Sequence, residues 1–205
     1  MSEVTRIFVL AAAIAACSPD PEEGATTDAS DRTVESVPQP AKQAEAPIQS
    51  DVPVHASMFT ELSESRCRLI VENKEEGPYW LRRCPGHAGW QLDWSESDLR
   101  QGLSLIAEDG KETELRLSDV VAKGAFNSIG RTIEWRGKSA VAPEAMIVRM
   151  SVANGVEPRL PDISRLVVVR LTDTPCLVAV IEPGAGQNER ARRIADGVMH
   201  KCLTD

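Results

Sequence analysis

The chain has 205 residues and a formal net charge of −8, and that charge is unevenly distributed. Residues 18–56 contain eight acidic and two basic side chains, whereas residues 57–205 contain twenty-two acidic and twenty basic ones. The near balance of the longer segment excludes an electrostatic argument for binding nucleic acid or an anionic membrane surface. Its 149 residues suit one hydrophobic core rather than two.

The N-terminus contains an uninterrupted apolar run of ten residues, at positions 7–16, directly after Arg6. A helix of that length is about 15 Å long, half of the roughly 30 Å hydrocarbon core of a bilayer. A basic residue followed by an apolar run too short to span a membrane is typical of a secretory signal. We therefore predict that residues 1–16 are a signal peptide.

The run ends in Ile14-Ala15-Ala16-Cys17, which resembles the lipobox of bacterial lipoproteins. This resemblance implies cleavage before Cys17 and attachment of diacylglycerol and a further acyl chain such as palmitate. Two or more chains are enough for stable membrane anchoring. The alternative is an ordinary secretory signal with a chance cysteine at the cleavage point.

The residue after the cysteine is Ser18, where lipoproteins retained in the inner membrane often carry Asp. By resemblance, this implies transport to the outer membrane and a lipid anchor on its periplasmic side. The periplasmic face of the inner membrane and the cell surface are the alternatives.

Residues 17–56 read as the lipidated cysteine followed by a tether. The segment after Cys17 contains six prolines among Ala, Ser, Thr, Glu and Asp, with no aromatic residue. Such a composition cannot bury enough apolar surface to offset its ordering entropy. We expect a disordered stalk with a root-mean-square reach of about 35 Å.

Residues 57–205 are predicted to form a single globular α+β domain. Alternating apolar residues indicate half-buried strands at positions 67–71, 90–94, 132–136 and 146–152. Continuous apolar runs at 166–169 and 177–181 flank a turn and predict a hairpin in the middle of the sheet. We expect an antiparallel sheet of about six strands.

Helical signals are fewer and strongest near the C-terminus. Asn188 is a suitable N-cap, and apolar residues then recur at helical spacing through Cys202. This pattern predicts an amphipathic C-terminal helix packed on one face of the sheet. Ser95 with Asp98 indicates a short helix through Gln101, and Ser118 another.

Four cysteines remain in the domain: Cys67, Cys84, Cys176 and Cys202. An even number in an oxidising compartment indicates two disulfides, for which three connectivities exist. Pairing of neighbours is favoured, joining Cys67 to Cys84 and Cys176 to Cys202. The alternative is a zinc site at Cys84-x-x-His87, although residues 57–205 contain only two histidines for a site of four ligands.

Catalytic and cofactor motifs are missing from residues 57–205. The sequence contains no G-x-S-x-G, H-E-x-x-H, G-x-x-x-x-G-K-[ST] or G-x-G-x-x-G pattern, so we expect no metal or cofactor. His87, in a Gly-rich loop, is the candidate general base, with Asp93 or Asp98 beside it. The alternative is an exposed turn residue.

Aromatic residues are concentrated at positions 79–94. Trp90 and Trp94 share a predicted strand face with Leu92, so we expect both side chains to pack in the core. Trp80 is expected to stay accessible, where its ring can stack against a sugar. The candidate binding residues are then Trp80, Arg82, Arg83 and His87.

Several short segments resemble a family of small exported bacterial domains of no known function. They are Cys-Pro-Gly-His-Ala-Gly at 84–89, the segments 97–101 and 133–136, and a last helix ending in Cys202. The resemblance implies the two disulfides and an α+β fold, and it assigns no catalytic or binding residue. The tether, the expected disulfides and the missing catalytic motifs lead us to expect a non-enzymatic binding or structural module facing the periplasm, whose partner is an envelope protein or peptidoglycan. The alternatives are a periplasmic enzyme acting on a glycan or peptide and an inhibitor of a wall-degrading hydrolase.

Overall fold

The computed structural model describes residues 55–75, 77–156, 159–197 and 201–203. The predicted signal peptide, Cys17 and nearly all of the predicted tether lie outside the described residues. Within the described part of the chain there are ten strands and two short helices. The strands are Ala56–Glu61 (β1), Arg68–Asn73 (β2), Tyr79–Pro85 (β3), Gln91–Ser97 (β4), Arg100–Ile106 (β5), Glu112–Glu114 (β6), Asn127–Gly137 (β7), Ala145–Val152 (β8), Ile163–Arg170 (β9) and Cys176–Ile181 (β10). The helices are Leu117–Val120 (α1) and Gln187–Ala195 (α2).

The strands form one hydrogen-bonded system with two halves. One half has the order β10-β9-β8-β7, with β1 also paired to β7, and the other has the order β5-β4-β3-β2, with β6 also paired to β5. A single parallel bridge between Arg100 and Asn127 joins the halves, and the other pairings are antiparallel. The fold is therefore mostly β, and the described residues form ten strands where about six were expected.

The main core takes residues from both halves. Leu92 and Leu103 from β4 and β5 belong to the same buried cluster as Ile133, Met146 and Val167 from β7, β8 and β9. Alternate side chains of β7 and β8 point into this cluster, as the alternating pattern predicts. The two halves thus share one apolar interior.

Helix α2 packs on the outer face of β8, β9 and β10. Ala191 is fully buried there against Ile147, Leu166, Val168 and Val178. The predicted C-terminal helix on one face is confirmed, but its predicted extent through Cys202 was wrong, since the helix ends at Ala195 and Cys202 lies in a non-helical segment. It begins at Gln187 after Gly186, whose φ is 67°, rather than at an Asn188 cap.

The predicted hairpin at 166–181 is present, but β10 is the last strand of its half and not a central one. Its apolar run is continuous because the main core covers one face of this hairpin and α2 covers the other. Burial on both faces therefore does not require a central position in the sheet.

Two local predictions were wrong. Residues 95–101 form no helix: β4 and β5 are joined by a turn at Asp98 and Leu99, whose φ values are 49° and 59°. Strand β2 is exposed along its whole length rather than half buried, since it lies at the end of the strand order and a bulge interrupts its register between Leu69 and Val71. Helix α1 lies at the second predicted helix and begins one residue before Ser118.

Both favoured disulfides are present, joining Cys67 to Cys84 and Cys176 to Cys202. The first links the residue before β2 to the end of β3. The second links the start of β10 to the segment 201–203 beyond α2. In the chain-entropy model each closure of this length stabilises the domain by about 3 to 3.5 kcal/mol.

A cluster of charged side chains fastens α2 to the sheet. Arg136 on β7 makes a two-bond ion pair with Asp196, with both N–O distances 2.7 Å, and Arg192 binds Glu134 at 2.8 Å. Ser57 on β1 donates to Glu134 at 2.7 Å. Burial raises the pKa of Glu134, but hydrogen bonds from Arg192, Ser57 and Arg136 outweigh it and hold that pKa below its ordinary value.

Candidate functional site

The β3–β4 hairpin carries the candidate binding residues, and its pleat separates them. Trp80 and Arg82 lie two apart on β3 and share one face, whereas Arg83 points to the opposite face. His87 lies beyond the end of β3, in the loop before β4. The four residues therefore belong to two different surfaces.

The first surface is an aromatic patch, formed by Trp80, Arg82, Trp94 and Glu96. In the antiparallel register, Arg82 is opposite Trp94 and Trp80 is opposite Glu96. The rings of Trp80 and Trp94 meet edge to face, with centroids 4.7 Å apart. The Arg82 guanidinium lies 5.7 Å from the Trp80 ring centroid, which is within the range of a cation–π contact.

Hydrogen bonds fix the polar side of the aromatic patch. Trp94 Nε1 donates to Gln101 Oε1 at 3.2 Å, and Gln101 Nε2 donates to Glu96 Oε2 at 2.8 Å. The backbone N–H of Ile129 also donates to Gln101 Oε1, at 2.7 Å. Gln101 therefore holds both a ring and a carboxylate of the patch in place.

The tryptophans of this region lie at the margin of the core. Leu92 is fully buried on the same face, whereas Trp90 and Trp94 are only partly buried and pack against the core cluster. The expectation that Trp90 and Trp94 fill core therefore holds for their contacts and not for their full burial. Trp80 is also partly buried, in contact with Trp94.

The second surface is an open cleft of about 440 Å³ around the loop at 85–90. Arg68, Arg83, His87 and Trp90 line it. Gly86 is required in this loop, because a Cβ there would lie 2.3 Å from the Trp90 carbonyl oxygen. The cleft brings Arg83 and His87 together and leaves Trp80 and Arg82 on the other face.

Arg83 in this cleft is already engaged by a carboxylate. Its Nε and Nη2 donate to the two oxygens of Asp93 at 2.8 and 2.7 Å. Asp93 is only 3% exposed, whereas the Arg83 side chain is 36% exposed, so the pair joins a buried carboxylate to a partly exposed guanidinium on the outer face of the hairpin. The hydrogen bonds that Arg83 donates to Asp93 raise the pKa of Arg83 despite opposing desolvation. Arg83 thus pairs with Asp93 within the hairpin and also lines the cleft.

His87 contacts groups other than the carboxylates suggested for it. Its Nε2 donates to the carbonyl of Ala140, and its ring centroid is 6.3 Å from that of Trp135. Asp93 binds Arg83, and Asp98 binds Arg100. The geometry therefore does not assemble the base–carboxylate pair considered for catalysis.

The zinc alternative also lacks its ligands, since Cys84 is in a disulfide and supplies no thiolate. Among the described residues, no group of three or more His, Cys, Asp and Glu side chains is placed to hold a metal ion. No helix in this part of the chain is long and apolar enough to cross a membrane.

Sequence reasoning missed Glu96 and Gln101, which frame the aromatic patch, and Arg68, which lines the cleft. A signal for Gln101 existed, because it alternates with Leu103 and Leu105 and so shares their face of β5. Comparison of the chain with protein-family models, curated proteins and solved structures finds no match. Geometry and chemistry of the two surfaces therefore carry the functional inference.

Proposed function

We propose that this chain is a lipid-anchored envelope protein whose folded domain is a non-enzymatic binding module facing the periplasm. The anchor is the lipid on Cys17, supported by the short apolar run before it and its Ile14-Ala15-Ala16-Cys17 boundary. A tether over residues 18–56 joins the anchor to the domain, which is held by its two disulfides. The outer membrane is the proposed location, on the periplasmic side.

The ligand of the module is a glycan strand of the cell wall, bound at the aromatic patch. The observation that carries this assignment is the partly exposed Trp80 ring, which meets the Trp94 ring edge to face and is flanked by Arg82 and Glu96. A rigid aromatic ring beside hydrogen-bonding groups suits a sugar, whose apolar face stacks while its hydroxyls bind the polar groups.

The charges around the patch favour a ligand without strong net charge. Arg82 is 3.5 Å from Glu64, Glu72 is opposite Trp80 on β2, and Glu96 is opposite Trp80 on β4. Lys74 pairs with Glu72 at 3.2 Å, so two cations among three carboxylates give no net attraction for a polyanion. Neutral sugar hydroxyls can accept from the guanidinium and donate to the carboxylates.

A binding role fits the described contacts better than catalysis does. His87 is hydrogen-bonded to the Ala140 carbonyl, while Asp93 and Asp98 are each paired with an arginine. A general base needs hydrogen-bond reach to the proton that it removes and a partner that orients it. An enzyme with His87 as its general base is therefore the second candidate. If the domain is instead an inhibitor of a wall-degrading hydrolase, its aromatic patch would bind that hydrolase.

Co-sedimentation with purified peptidoglycan sacculi tests the ligand, using the full chain in detergent. Wild type should pellet with the sacculi, and Trp80→Ala and Arg82→Gln should stay largely in the supernatant. Tyr79→Ala is the matched control, because Tyr79 is the neighbouring aromatic on the opposite face of β3. Thermal melts of all variants exclude unfolding as the cause. If wild type stays in the supernatant, or if Trp80→Ala pellets as wild type does, the glycan assignment is wrong.

Metabolic labelling with an alkyne fatty acid tests the anchor. Wild type should be labelled and sediment with membranes, whereas Cys17→Ala should lose the label and either leave the membrane fraction or stay uncleaved. Equal labelling of the two proteins would refute lipidation at Cys17. The domain's cysteines serve as internal controls, since each is in a disulfide.

A further inference from the structure

The two disulfides of the domain occupy different environments. Cys67 and Cys84 are 6% and 1% exposed and belong to the main core. Cys176 and Cys202 are only partly buried, and both line an open groove of about 910 Å³. A small thiol therefore has a path to the second disulfide. Cys84 of the first disulfide also borders the open cleft around the loop at 85–90, but it is only 1% exposed there.

The second disulfide also has a cation at its sulfurs. Arg170 Nη2 lies 3.4 Å from Cys202 Sγ and 3.6 Å from Cys176 Sγ. A guanidinium at this distance stabilises a thiolate, and a more stable thiolate is a better leaving group in thiol–disulfide exchange. Because one nitrogen is close to both sulfurs, either cysteine can be the one that leaves.

Other charged groups of the groove do not cancel this effect. Arg116, Glu114 and Asp173 also line it. Arg116 pairs with Asp119 at 3.3 Å, and both Glu114 and Asp173 are exposed. Exposed carboxylates are screened by water and salt, whereas Arg170 contacts the sulfurs directly.

We propose that Cys176–Cys202 is a thiol–disulfide exchange site, opened by a dithiol reductant, while Cys67–Cys84 is purely structural. The incoming thiolate attacks one sulfur, the S–S bond breaks, and the other cysteine leaves as a thiolate beside Arg170. The second thiol of the reductant then attacks the mixed disulfide. The reductant is oxidised to its disulfide, and its two electrons and two protons reduce Cys176 and Cys202 to thiols.

Opening this site changes the attachment of the C-terminal segment. Residues 201–203 are joined to β10 by the disulfide and by a hydrogen bond of 2.8 Å from the Leu203 N–H to the Leu177 carbonyl. Reduction removes the covalent link at the start of β10. The groove at the sulfurs is then free to widen, because its Cys202 wall is no longer bonded to its Cys176 wall.

Time-resolved reduction of the full chain tests the proposal, with dithiothreitol as the probe. Samples are quenched with an alkylating reagent, and peptide mass spectrometry measures labelling at each cysteine. Cys176 and Cys202 should become labelled at least about tenfold faster than Cys67 and Cys84, because the Cys176–Cys202 disulfide is accessible and activated by Arg170. Equal rates for the two disulfides would overturn the proposal.

A substitution separates activation by Arg170 from simple exposure. Arg170→Gln should slow reduction of Cys176–Cys202 severalfold. Arg165→Gln is the matched control, because Arg165 lies on the same strand but pairs with Glu182 at 2.9 Å. An unchanged rate in Arg170→Gln overturns the role of the guanidinium.

A second measurement guards against misfolding of Arg170→Gln. In selectively reduced wild type, the alkylation rate of Cys176 and Cys202 should reach half its maximum below the ordinary thiol midpoint of about pH 8.5. A midpoint at or above that value contradicts the proposal even if the variant cannot be purified.

Discussion

Glu134→Gln probes the charged cluster that fastens α2 to the sheet. The Glu134 carboxylate accepts hydrogen bonds from Ser57 at 2.7 Å, from Arg192 at 2.8 and 3.2 Å, and from Arg136 at 3.2 Å. A glutamine keeps the shape but removes the charge, and its NH₂ group would face arginine donors. Arg136, only 8% exposed, would then keep Asp196 as its remaining carboxylate in this cluster.

The expected cost is about 3 kcal/mol of unfolding free energy. Removing one partner of a buried ion pair costs about 3 to 5 kcal/mol. We take the lower end of this range because the Arg192 side chain is 39% exposed and can turn to water. For a domain of this size, that loss lowers the melting temperature by roughly 6 to 12 °C.

Glu182→Gln is the matched control, since Glu182 also pairs with an arginine, at 2.9 Å, but its side chain is 62% exposed. An exposed pair of this kind contributes about 0.2 to 1 kcal/mol. Circular dichroism melts of the full chain measure both variants. Similar small shifts for the two would refute the reasoning that burial makes the Glu134 cluster strong.

The stability difference between wild type and Glu134→Gln should depend on pH in a definite direction. Because the folded-state pKa of Glu134 is lowered, its ionised form stabilises the fold at pH values above the unfolded pKa of about 4.3. That contribution is lost as the pH falls through the lower folded pKa. The difference in melting temperature between wild type and Glu134→Gln should therefore be constant near neutral pH and shrink in acid. A difference that grows in acid would contradict this linkage.

Three further substitutions test other parts of the fold by chemical denaturation. Leu99→Gly should raise the unfolding free energy by about 0.5 to 1 kcal/mol, because Leu99 is 62% exposed and has a φ of 59° that glycine adopts without strain. An unchanged unfolding free energy would contradict backbone strain at Leu99. Trp94→Ala should cost about 2 kcal/mol, less than the 3 to 5 of a fully buried tryptophan, because the ring is half buried; a cost of 4 or more would place it in the core. Replacing Cys67 and Cys84 together by Ala should cost about 3 kcal/mol; an unchanged denaturation midpoint would refute a structural role.

Elements with one face in the core were predictable from local sequence. In β7 and β8, Ile133, Met146 and Val148 are each fully buried and alternate with residues of the other face. Helix α2 was predictable for the same reason, since its apolar stripe packs on the sheet. The even number and the spacing of the cysteines favoured neighbour pairing, and the structure selected it from the three possible connectivities.

Elements at exposed edges were only partly predictable. The alternating pattern at 67–71 predicted the strand that forms β2 but not its exposure at every position, and β6 has only three residues, too few for a burial pattern. Residues 95–101 have the polar residues of a helix cap. However, β4 pairs with β3 along its whole length, from Ser97 opposite Tyr79 to Gln91 opposite Pro85, and also pairs with β5. This cross-strand pairing outweighs the local helix preference. Tertiary pairing commonly overrides weak local propensity.

The sequence by itself determined the short apolar run before Cys17, the acidic proline-containing segment after it, the cysteine spacing and the amphipathic patterns, because each is a property of neighbouring residues. Only the tertiary structure decided that Trp80 contacts Trp94, that Arg170 contacts the sulfurs of Cys176 and Cys202, and that Cys67–Cys84 is more deeply buried than Cys176–Cys202. These features depend on how separate elements of the chain pack against one another. Local patterns record how deeply a side chain is buried, but the choice of partner depends on how all ten described strands pair.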